Sequence, residues 1–581
     1  MKFVYKNILR VFFITALIGL ITGCVSTKLP ESYTVQPEVL EATGGTVNFT
    51  VNGTVPPKSF HKKAKVEFIP YIQYGDQRKD LEKFTLRGEK TEGEGTVISS
   101  KTGGSFTYNA SFDYESDMRV AELRTDARVI KGSKVQEFKG IKLADGIINT
   151  YQNVAHTERT IEAPSGYERE TIISKKATVY FPQNIGTINW NLKLNKDEKA
   201  VQAFEELDGF LMKGWQVRDI AIDGWASPEG EISFNDNLAV DRAENTRKYM
   251  ERKMKKVFKK RAKELGVDVS EIEQEVKYIA NGHGEDWDGF MKSVQESNLP
   301  DKNTILNVIN SQSDVTLREQ EIRNMTVIYK EVEEMILPPL RRAEVTVNCF
   351  EPKRTDDEIA RLAVTAPDSL TYEELLHAAT LTDDHQAKYN IYRSGFAHPG
   401  RDWKTFNNAG VEAVELGHLE DAALHLGQAA KLAPGNGLIE NNLGVVAARN
   451  GDYQQAETHF LNAQKAGEDV GYNLGVVAIQ KGEYAKAINY FKGVECDYNL
   501  ALSQVLAGNM DDAMKNLKCA PVSAQNYYLL AVIGARTGKG EMVFDYLAKA
   551  IEKDPSMKEM ARDDREFVKY FDNDAFKALV E

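Results

Sequence analysis

Cysteine and catalytic motifs are scarce in this chain of 581 residues, and its 73 basic residues are outnumbered by 86 acidic ones. The sequence contains 4 cysteines, too few for a disulfide-stabilised framework. Its net charge of −13 argues against a general nucleic-acid-binding protein, whose surface would be basic. The length is large, and at ~100 to 200 residues per domain it predicts three or four domains, each able to bury its own core.

Neither nucleophilic nor metal-dependent catalysis has a motif in the sequence. Gly-x-Ser-x-Gly and His-Glu-x-x-His are both missing. The acidic residues around His283 have no second histidine at ligand spacing, which favours a solvated loop over a metal site. We therefore expect a protein that is not an enzyme and that holds neither a metal nor another cofactor.

The N-terminus has the pattern of an export signal. Lys2, Lys6 and Arg10 precede the uncharged apolar stretch 11–21. This stretch is shorter than the ~20 residues that a membrane-spanning helix needs. It is therefore predicted to be cleaved rather than to remain as a permanent span.

The residues that end this stretch are Ile-Thr-Gly-Cys at 21–24, and they resemble the bacterial lipobox. The resemblance implies a signal peptide at 1–23, acylation of Cys24 and a lipidated linker at 24–36. Acyl chains of this kind give stable membrane anchoring. Because no Asp or acidic tract follows Cys24, the resemblance further implies the outer membrane, with the protein facing the periplasm.

Short apolar runs separated by Gly and Pro occupy residues 37–165. The runs at 46–51 and 105–112 alternate apolar and polar residues, as half-buried strands do. Gly44-Gly45 and Pro56-Pro57 separate such runs, and no helical period of useful length is present. The pattern predicts an all-β sandwich that acts as a spacer or a protein-binding module.

Strands and helices mix between residues 175 and 350, which predicts an α+β domain. A predicted strand ends at Gly224-Trp225, and Gly230, Asn235 and Arg242 follow at fixed spacing. This arrangement resembles the peptidoglycan-binding motif of OmpA-like domains. The resemblance implies a site for the diaminopimelate of peptidoglycan peptide stems, in which an arginine binds the carboxylate and an aspartate binds the ammonium group.

The candidate wall site departs from the family at one position. Arg242 stands where the family has its arginine, but Ser227 stands where it has its aspartate. Glu229 and Asp223 are nearby candidates for the missing acid, although neither stands at the family's position, and Asn235 completes the predicted set. Two interpretations remain open: a functional peptidoglycan contact, or a surface arginine in a domain that binds protein.

Small and large apolar residues recur between residues 371 and 565 with a period that begins at 34. The signature positions are Gly410, Ala422, Pro434, Gly444, Ala456, Phe460, Gly475 and Ala487. They resemble the tetratricopeptide repeat, in which small residues let two antiparallel helices touch. The resemblance implies an all-α solenoid of four to six repeats whose groove holds an unidentified protein partner, between a linker at 351–370 and a tail at 566–581.

Three cysteines remain after Cys24. Cys349, Cys496 and Cys519 form an odd, sparse set, which favours free thiols. A bridge between Cys496 and Cys519 is the alternative.

The sequence as a whole predicts a multidomain, lipid-anchored periplasmic adaptor. It would link the outer membrane to peptidoglycan, recruit a protein through its repeats, or do both. The alternative is an accessory scaffold of an outer-membrane assembly or secretion machine that does not bind peptidoglycan.

Overall fold

The computed structural model describes residues 32–299, 301–312, 314–324 and 326–581. The predicted signal peptide and Cys24 lie outside the described residues. The chain divides into two compact units, and Gly166–Leu362 form the second. The first unit combines the residues up to Ser165 with Ala363–Glu581, so the β-rich region and the repeats belong to one unit although they are far apart in sequence.

The N-terminal region is β-rich, as predicted. Its strands are β1 (Ser32–Gln36), β2 (Val39–Thr43), β3 (Thr46–Val55), β4 (Lys65–Tyr74), β5 (Gln77–Asp80), β6 (Phe84–Gly88), β7 (Thr96–Ile98), β8 (Gly104–Asp113), β9 (Ala121–Lys131) and β10 (Lys134–Ile148). Within the described residues they form a 10-stranded sheet in the order β1-β3-β2-β10-β9-β4-β6-β7, with β8 paired to β3 and β5 paired to β4.

One half of this sheet consists of β1, β2, β3 and β8, and the other consists of β4 to β7, β9 and β10. Both halves contribute side chains to one core. Phe49 on β3 and Tyr108 on β8 are buried together with Ile72 on β4 and Leu123 on β9. Every second residue of β3 is buried, because side chains alternate between the two faces of a strand. The two halves therefore pack face to face, in the manner of a sandwich.

The predicted limits of the β domain, 37–165, were wrong at both ends. β1 lies in the segment expected to be a linker, because it pairs with β3 along its whole length. The last strand ends at Ile148, and residues 154–165 contain neither strand nor helix. That segment has a different role, described below.

The second unit has the strands β11 (Ile172–Tyr180), β12 (Val217–Ala226), β13 (Tyr278–Glu285) and β14 (Arg342–Phe350). Its helices are α1 (Glu198–Met212), α2 (Ile232–Leu265), α3 (Trp287–Glu296), α4 (Lys302–Ser311), α5 (Val315–Asn324), α6 (Thr326–Glu331) and α7 (Leu337–Leu340). The sheet order is β11-β14-β12-β13, in which β12 and β13 are parallel and β14 is antiparallel to both of its neighbours. Leu207 on α1, Met250 on α2 and Ile222 on β12 share its core.

The remainder of the chain is helical. Its helices are α8 (Asp356–Thr365), α9 (Tyr372–Ala379), α10 (His385–Ser394), α11 (Trp403–Glu415), α12 (Leu419–Leu432), α13 (Gly437–Arg449), α14 (Tyr453–Lys465), α15 (Gly471–Gln480), α16 (Tyr484–Tyr490), α17 (Tyr498–Leu506), α18 (Met510–Cys519), α19 (Ala524–Arg536), α20 (Gly540–Lys553), α21 (Ser556–Asp563) and α22 (Asp574–Val580). Consecutive helices from α11 to α20 pack as helical pairs. Among the described residues, no helix is long and apolar enough to cross a membrane.

Two segments predicted to lack structure are helical. Residues 351–370, expected to be a linker, contain α8. Residues 566–581, expected to be a tail, contain α22, and Phe567 and Phe576 are buried in the core of the last repeats. Apolar side chains at the end of an array cover the last helical pair, which would otherwise expose its inner face.

Cys496 and Cys519 form a disulfide with a Cα–Cα distance of 5.0 Å, so the expectation of free thiols was wrong for this pair. The bond joins the chain just before α17 to the end of α18. Cys349 on β14 is a free, buried thiol. Burial raises the pKa of the Cys349 thiol to about 11, which keeps it protonated and unreactive at neutral pH.

Candidate functional site

The groove of the repeats holds a segment of the same chain. Residues 154–163, here called the strap, follow the β-rich region and run in extended form along the inner helices of successive repeats. The strap is held by side-chain amides from α11, α13, α15 and α17. The helical hairpins thus form a binding surface for an extended peptide, and its occupant in this structure is the chain itself.

Asparagines bind the strap backbone in pairs of hydrogen bonds. Asn408 accepts from the N–H of Ala163 at 2.7 Å and donates to its C=O at 2.9 Å. Asn442 does the same for Ile161, with both distances at 2.8 Å. Each side-chain amide offers one donor and one acceptor, so it pairs with a peptide unit as a neighbouring strand would.

The same pairing continues toward the start of the strap. Asn473 binds the N–H of Arg159 at 2.7 Å and its C=O at 2.9 Å. Asn499 binds both groups of Ala155 at 2.9 Å. The bound residues have odd numbers, because alternate residues of an extended chain present their backbone to the same side. We call these asparagines, 408, 442, 473 and 499, the asparagine ladder.

Contacts between asparagines hold the ladder in position. Asn473 donates to Asn441 at 2.8 Å, and Asn442 donates to Asn407 at 2.9 Å. These side chains are at most 2 % exposed. A buried amide without partners would cost about 1–3 kcal/mol, so the ladder and the strap satisfy one another.

Two acidic side chains of the strap reach cations of the groove. The Glu158 side chain is 0 % exposed, and its Oε2 lies 2.7 Å from Nε of Arg449 at the end of α13. Glu162 accepts from the Tyr392 hydroxyl at 3.1 Å, and Lys388 Nζ lies 3.5 Å from its carboxylate. The groove therefore recognises charge as well as backbone.

A second carboxylate opposes Glu162. Glu412 on α11 is 1 % exposed, and Lys388 Nζ is 3.4 Å and His385 Nδ1 2.7 Å from its oxygens. Burial, together with the neighbouring Glu162, raises the pKa of Glu412 to about 7. Ionising both carboxylates is energetically unfavourable, because like charges repel and a single lysine is shared between them. This end of the strap is consequently sensitive to pH.

The asparagine ladder was not predicted, although the sequence contains its signal. Asn408, Asn442 and Asn473 each stand two residues before a signature glycine. Asn499 stands two residues before Ala501, the equivalent small residue of the next repeat. An asparagine at the same place in four successive repeats indicates a lined groove, since the core needs no buried amides.

The repeat signature residues lie where the helices of each pair meet. A Cβ added to Gly410, Gly444 or Gly475 would lie 2.6 Å from Leu426, Phe460 or Phe491 of the partner helix, respectively. Ala422, Ala456 and Ala487 are fully buried on the second helices, and Pro434 lies exposed in the turn between α12 and α13. Small residues on one helix thus accommodate large ones on the next.

The residues predicted to contact peptidoglycan do lie together in the second unit. The Glu229 carboxylate accepts from the Ser227 hydroxyl at 2.5 Å and from Nε of Arg341 at 2.8 Å. Asn235 donates to the Glu229 carbonyl at 2.9 Å. Arg341, which was not among the predicted site residues, is the counter-ion of Glu229. We call Ser227, Glu229, Asn235, Arg242 and Arg341 the central cluster.

Arg242 is bound to backbone in this structure. It is 1 % exposed and donates to the carbonyls of Trp225, Pro182 and Ile185 at 2.8, 3.1 and 3.3 Å. Burial and the nearby Arg341 lower the pKa of Arg242 to about 10. Its position leaves it close to Glu229 but inside the domain rather than on the helix surface.

His283 lies on β13, so the prediction of a solvated loop around it was wrong, and its side chain pairs within the second unit. His283 Nε2 lies 2.7 Å from Asp223, and its ring stacks on Trp225 with centroids 4.9 Å apart. Asp286 caps α3 and pairs with Arg342. In the described part of the chain, no group of three or more His, Cys, Asp or Glu side chains is arranged to hold a metal ion.

The helical pairs have the arrangement of tetratricopeptide repeats, a repeat type that suggests protein–protein interaction. The tetratricopeptide repeat family matches residues 407–470 and 472–494. The prediction of C-terminal tetratricopeptide repeats is thus confirmed. A comparison with curated protein sequences found no significant match.

Solved structures of repeat proteins resemble the chain over part of its length. MamA of Desulfovibrio magneticus RS-1 is 20 % identical over 27 % of this chain and 97 % of its own, with a TM-score of 0.25. A tetratricopeptide repeat protein of Parabacteroides merdae is 16 % identical over 39 % and 89 %, with a TM-score of 0.28. YrrB, described as a repeat protein with an unusual peptide-binding site, is 21 % identical over 28 % and 92 %, with a TM-score of 0.25.

Proposed function

We propose that this chain is a scaffold of the bacterial cell envelope that binds, rather than transforms, its partners. In this proposal the groove of its repeats holds an extended segment of another protein. The asparagine ladder carries the proposal, because it binds N–H and C=O groups that every peptide possesses. A peptide of another chain can present the same groups in the same spacing.

Site-specific photocrosslinking in cells tests this role. A crosslinking residue at Glu415, which contacts the strap through Thr160, should capture a partner at the groove edge. The matched control position is Leu424, which is 58 % exposed on α12. Excess peptide with the sequence of 152–165 should suppress the product formed at 415. Equal capture at both positions, unaffected by the peptide, would contradict a role for the groove.

The proposal includes lipid anchoring at Cys24 on the periplasmic face of the outer membrane. Its support is the sequence of 1–24, with a basic start, a short apolar stretch and a lipobox-like end. A Cys24→Ala variant should not be labelled by a fatty-acid probe and should leave the outer-membrane fraction. Unchanged labelling would refute the anchor, and Cys349→Ser serves as the control substitution.

Attachment to peptidoglycan is a second candidate function. The observation that favours it is the carboxylate of Glu229, which lies beside Ser227 and can take the place of the aspartate that this chain lacks at that position. Arg242 and Arg341 provide cations close to it. Such a cluster has both charges that a zwitterionic stem residue requires.

Sedimentation with diaminopimelate-type sacculi separates the two candidate functions. Wild type should be retained, and Glu229→Gln and Arg242→Lys should each reduce retention, whereas exposed Glu231→Gln should not. If wild type is not retained, the alternative remains, a scaffold without peptidoglycan binding. Equal retention of all four proteins would exclude the central cluster as the contact. Circular dichroism of each variant shows whether lost retention reflects lost folding.

A further inference from the structure

We infer that the strap is an exchangeable resident ligand of the groove, and that it specifies the partner as an extended peptide with two acidic side chains four residues apart. This inference rests on the proposed function of the groove and adds the chemistry of what it binds.

The spacing of the acids follows from the spacing of their receptors. Glu158 and Glu162 both have even numbers, so in an extended chain their side chains project to the same face of the backbone. At ~3.3 Å per residue they lie roughly 13 Å apart along an extended chain. Arg449 receives the first, and Lys388 with Tyr392 receives the second.

The two cations that pair with these acids, Arg449 and Lys388, are mostly buried. The groove therefore favours a ligand that supplies carboxylates at both positions. The side chains of Arg449 and Lys388 are 29 % and 19 % exposed. A peptide without the acids would leave Arg449 partly buried without its carboxylate partner, which is unfavourable because water solvates a partly buried charge incompletely. Lys388 would keep Glu412 as its only remaining carboxylate among these contacts. A peptide with basic residues there would add repulsion.

Other strap positions differ in the side chains that the groove can accommodate there. Ala163 is 3 % exposed, so its place accepts only a small side chain. His156 is exposed, but its Nδ1 lies 3.3 Å from Oε1 of Glu158, so a substitution there would also alter the surroundings of that acid. The preferred ligand is therefore an extended segment with Glu at two positions, three residues between them, and a small residue directly after the second.

The strap has the features of a ligand that can leave. It contains no helix or strand, and its hydrogen bonds to the ladder are made by side chains of the groove. One of its two acids faces Glu412 across a shared lysine, so the fit of the resident segment is imperfect at its C-terminal end. A partner that binds this end better can replace it.

Peptide binding to the full-length protein tests the inference. The probe is a fluorescent peptide with the sequence of 152–165, and the protein is a Glu158→Ala/Glu162→Ala variant whose own strap is weakened. The variant should bind the probe at least about tenfold more tightly than wild type. Adding Asn442→Ala and Asn473→Ala should abolish this gain.

Altered peptides test the chemical class. A probe with lysine in place of both acids should bind at least about tenfold more weakly. A probe with lysine in place of Gln152, which is exposed and precedes the strap, should bind unchanged. Equal binding of all probes would overturn the acidic specificity. Failure of every probe to bind a variant with wild-type helical content would overturn the inference, even if crosslinking finds a partner on another surface.

Hydrogen exchange of the wild-type protein provides a test that needs no variant. The amides of Arg159 and Ile161 should exchange through local detachment, much faster than the amides in the middle of α13. Addition of a partner-like acidic peptide should alter only the strap and groove. Exchange of strap amides solely through global unfolding would show a permanent structural element and refute exchangeability.

Discussion

The side-chain amide of Asn442 and the backbone of Ile161, 281 residues apart in sequence, form two hydrogen bonds of 2.8 Å each. The pair joins the end of the β-rich region to the repeats. It also shows how one asparagine can bind the N–H and C=O of a peptide residue without contacting its side chain. The same relationship recurs along the groove, so the ladder is a repeated structural solution and not an isolated contact.

Replacing Asn442 with Ala should lower the free energy of unfolding by about 1–3 kcal/mol, because the peptide groups of Ile161 lose their partners. Denaturant unfolding measures the loss, and exchange of the Ile161 amide should accelerate. Asn450→Ala, an exposed position just after the same helix, is the control and should be near neutral. Equal effects of the two substitutions would argue against the ladder.

Gly444→Ala should destabilise the repeats by about 1–3 kcal/mol, since the added methyl group would lie 2.6 Å from the Phe460 ring. Gly427→Ala is the matched helical control, because no atom lies within 4 Å of its new Cβ. That control should be neutral or stabilising by up to about 1 kcal/mol. Thermal unfolding followed by circular dichroism compares them, and a Phe460→Leu second substitution should recover part of the loss.

The first unit should lose stability as pH rises from about 4.5 to about 7 through Glu412. Over this window the unfolded chain releases the proton while the folded chain retains it, so the free energy of unfolding falls with pH. The loss of stability is complete at pH values above the raised pKa of Glu412. Glu412→Gln should flatten this part of the stability profile, and exposed Glu420→Gln should not. A profile unchanged by Glu412→Gln would mean that Glu162, His385 and Lys388 leave this carboxyl ionised.

Glu229→Gln should destabilise the second unit by about 3 kcal/mol, because Arg341 would keep a buried charge without its counter-ion. Replacing both residues with Met should recover much of the loss, since the uncompensated charge is then gone. Tryptophan fluorescence follows this unit selectively, because Trp190, Trp215, Trp225 and Trp287 belong to it and Trp403 to the other. Exposed Glu264→Gln is the control. A double variant less stable than Glu229→Gln would contradict the ion-pair explanation.

The Cys496–Cys519 bond closes a separation of 23 residues, and its removal by paired Ser substitutions should cost about 3 kcal/mol. Peptide mapping without reductant should find the two segments joined, and unfolded, unreduced protein should offer Cys349 but neither of these thiols to alkylation. Alkylation of all three would exclude the bond.

The sequence by itself determined the local features of this protein. Alternating apolar residues predicted the β-rich region, and the spacing of Gly410 and Gly444 predicted the repeats, because both patterns are read over neighbouring residues. The spacing of Ser227, Glu229 and Arg242 also predicted that these members of the central cluster lie together. It did not reveal Arg341 as the counter-ion of Glu229, since Arg341 lies between α7 and β14, 112 residues further along the chain.

The tertiary structure alone decided what lies in the groove. Residues 154–163 lack a periodic pattern, and their contacts with Asn408 and Asn442 cross more than 240 positions of sequence. Likewise, the Cys496–Cys519 pair depended on how α17 and α18 fold against each other. Such contacts are set by packing between distant elements, which no local spacing encodes. The sequence thus specified a groove, and the fold placed the chain's own acidic strap in it.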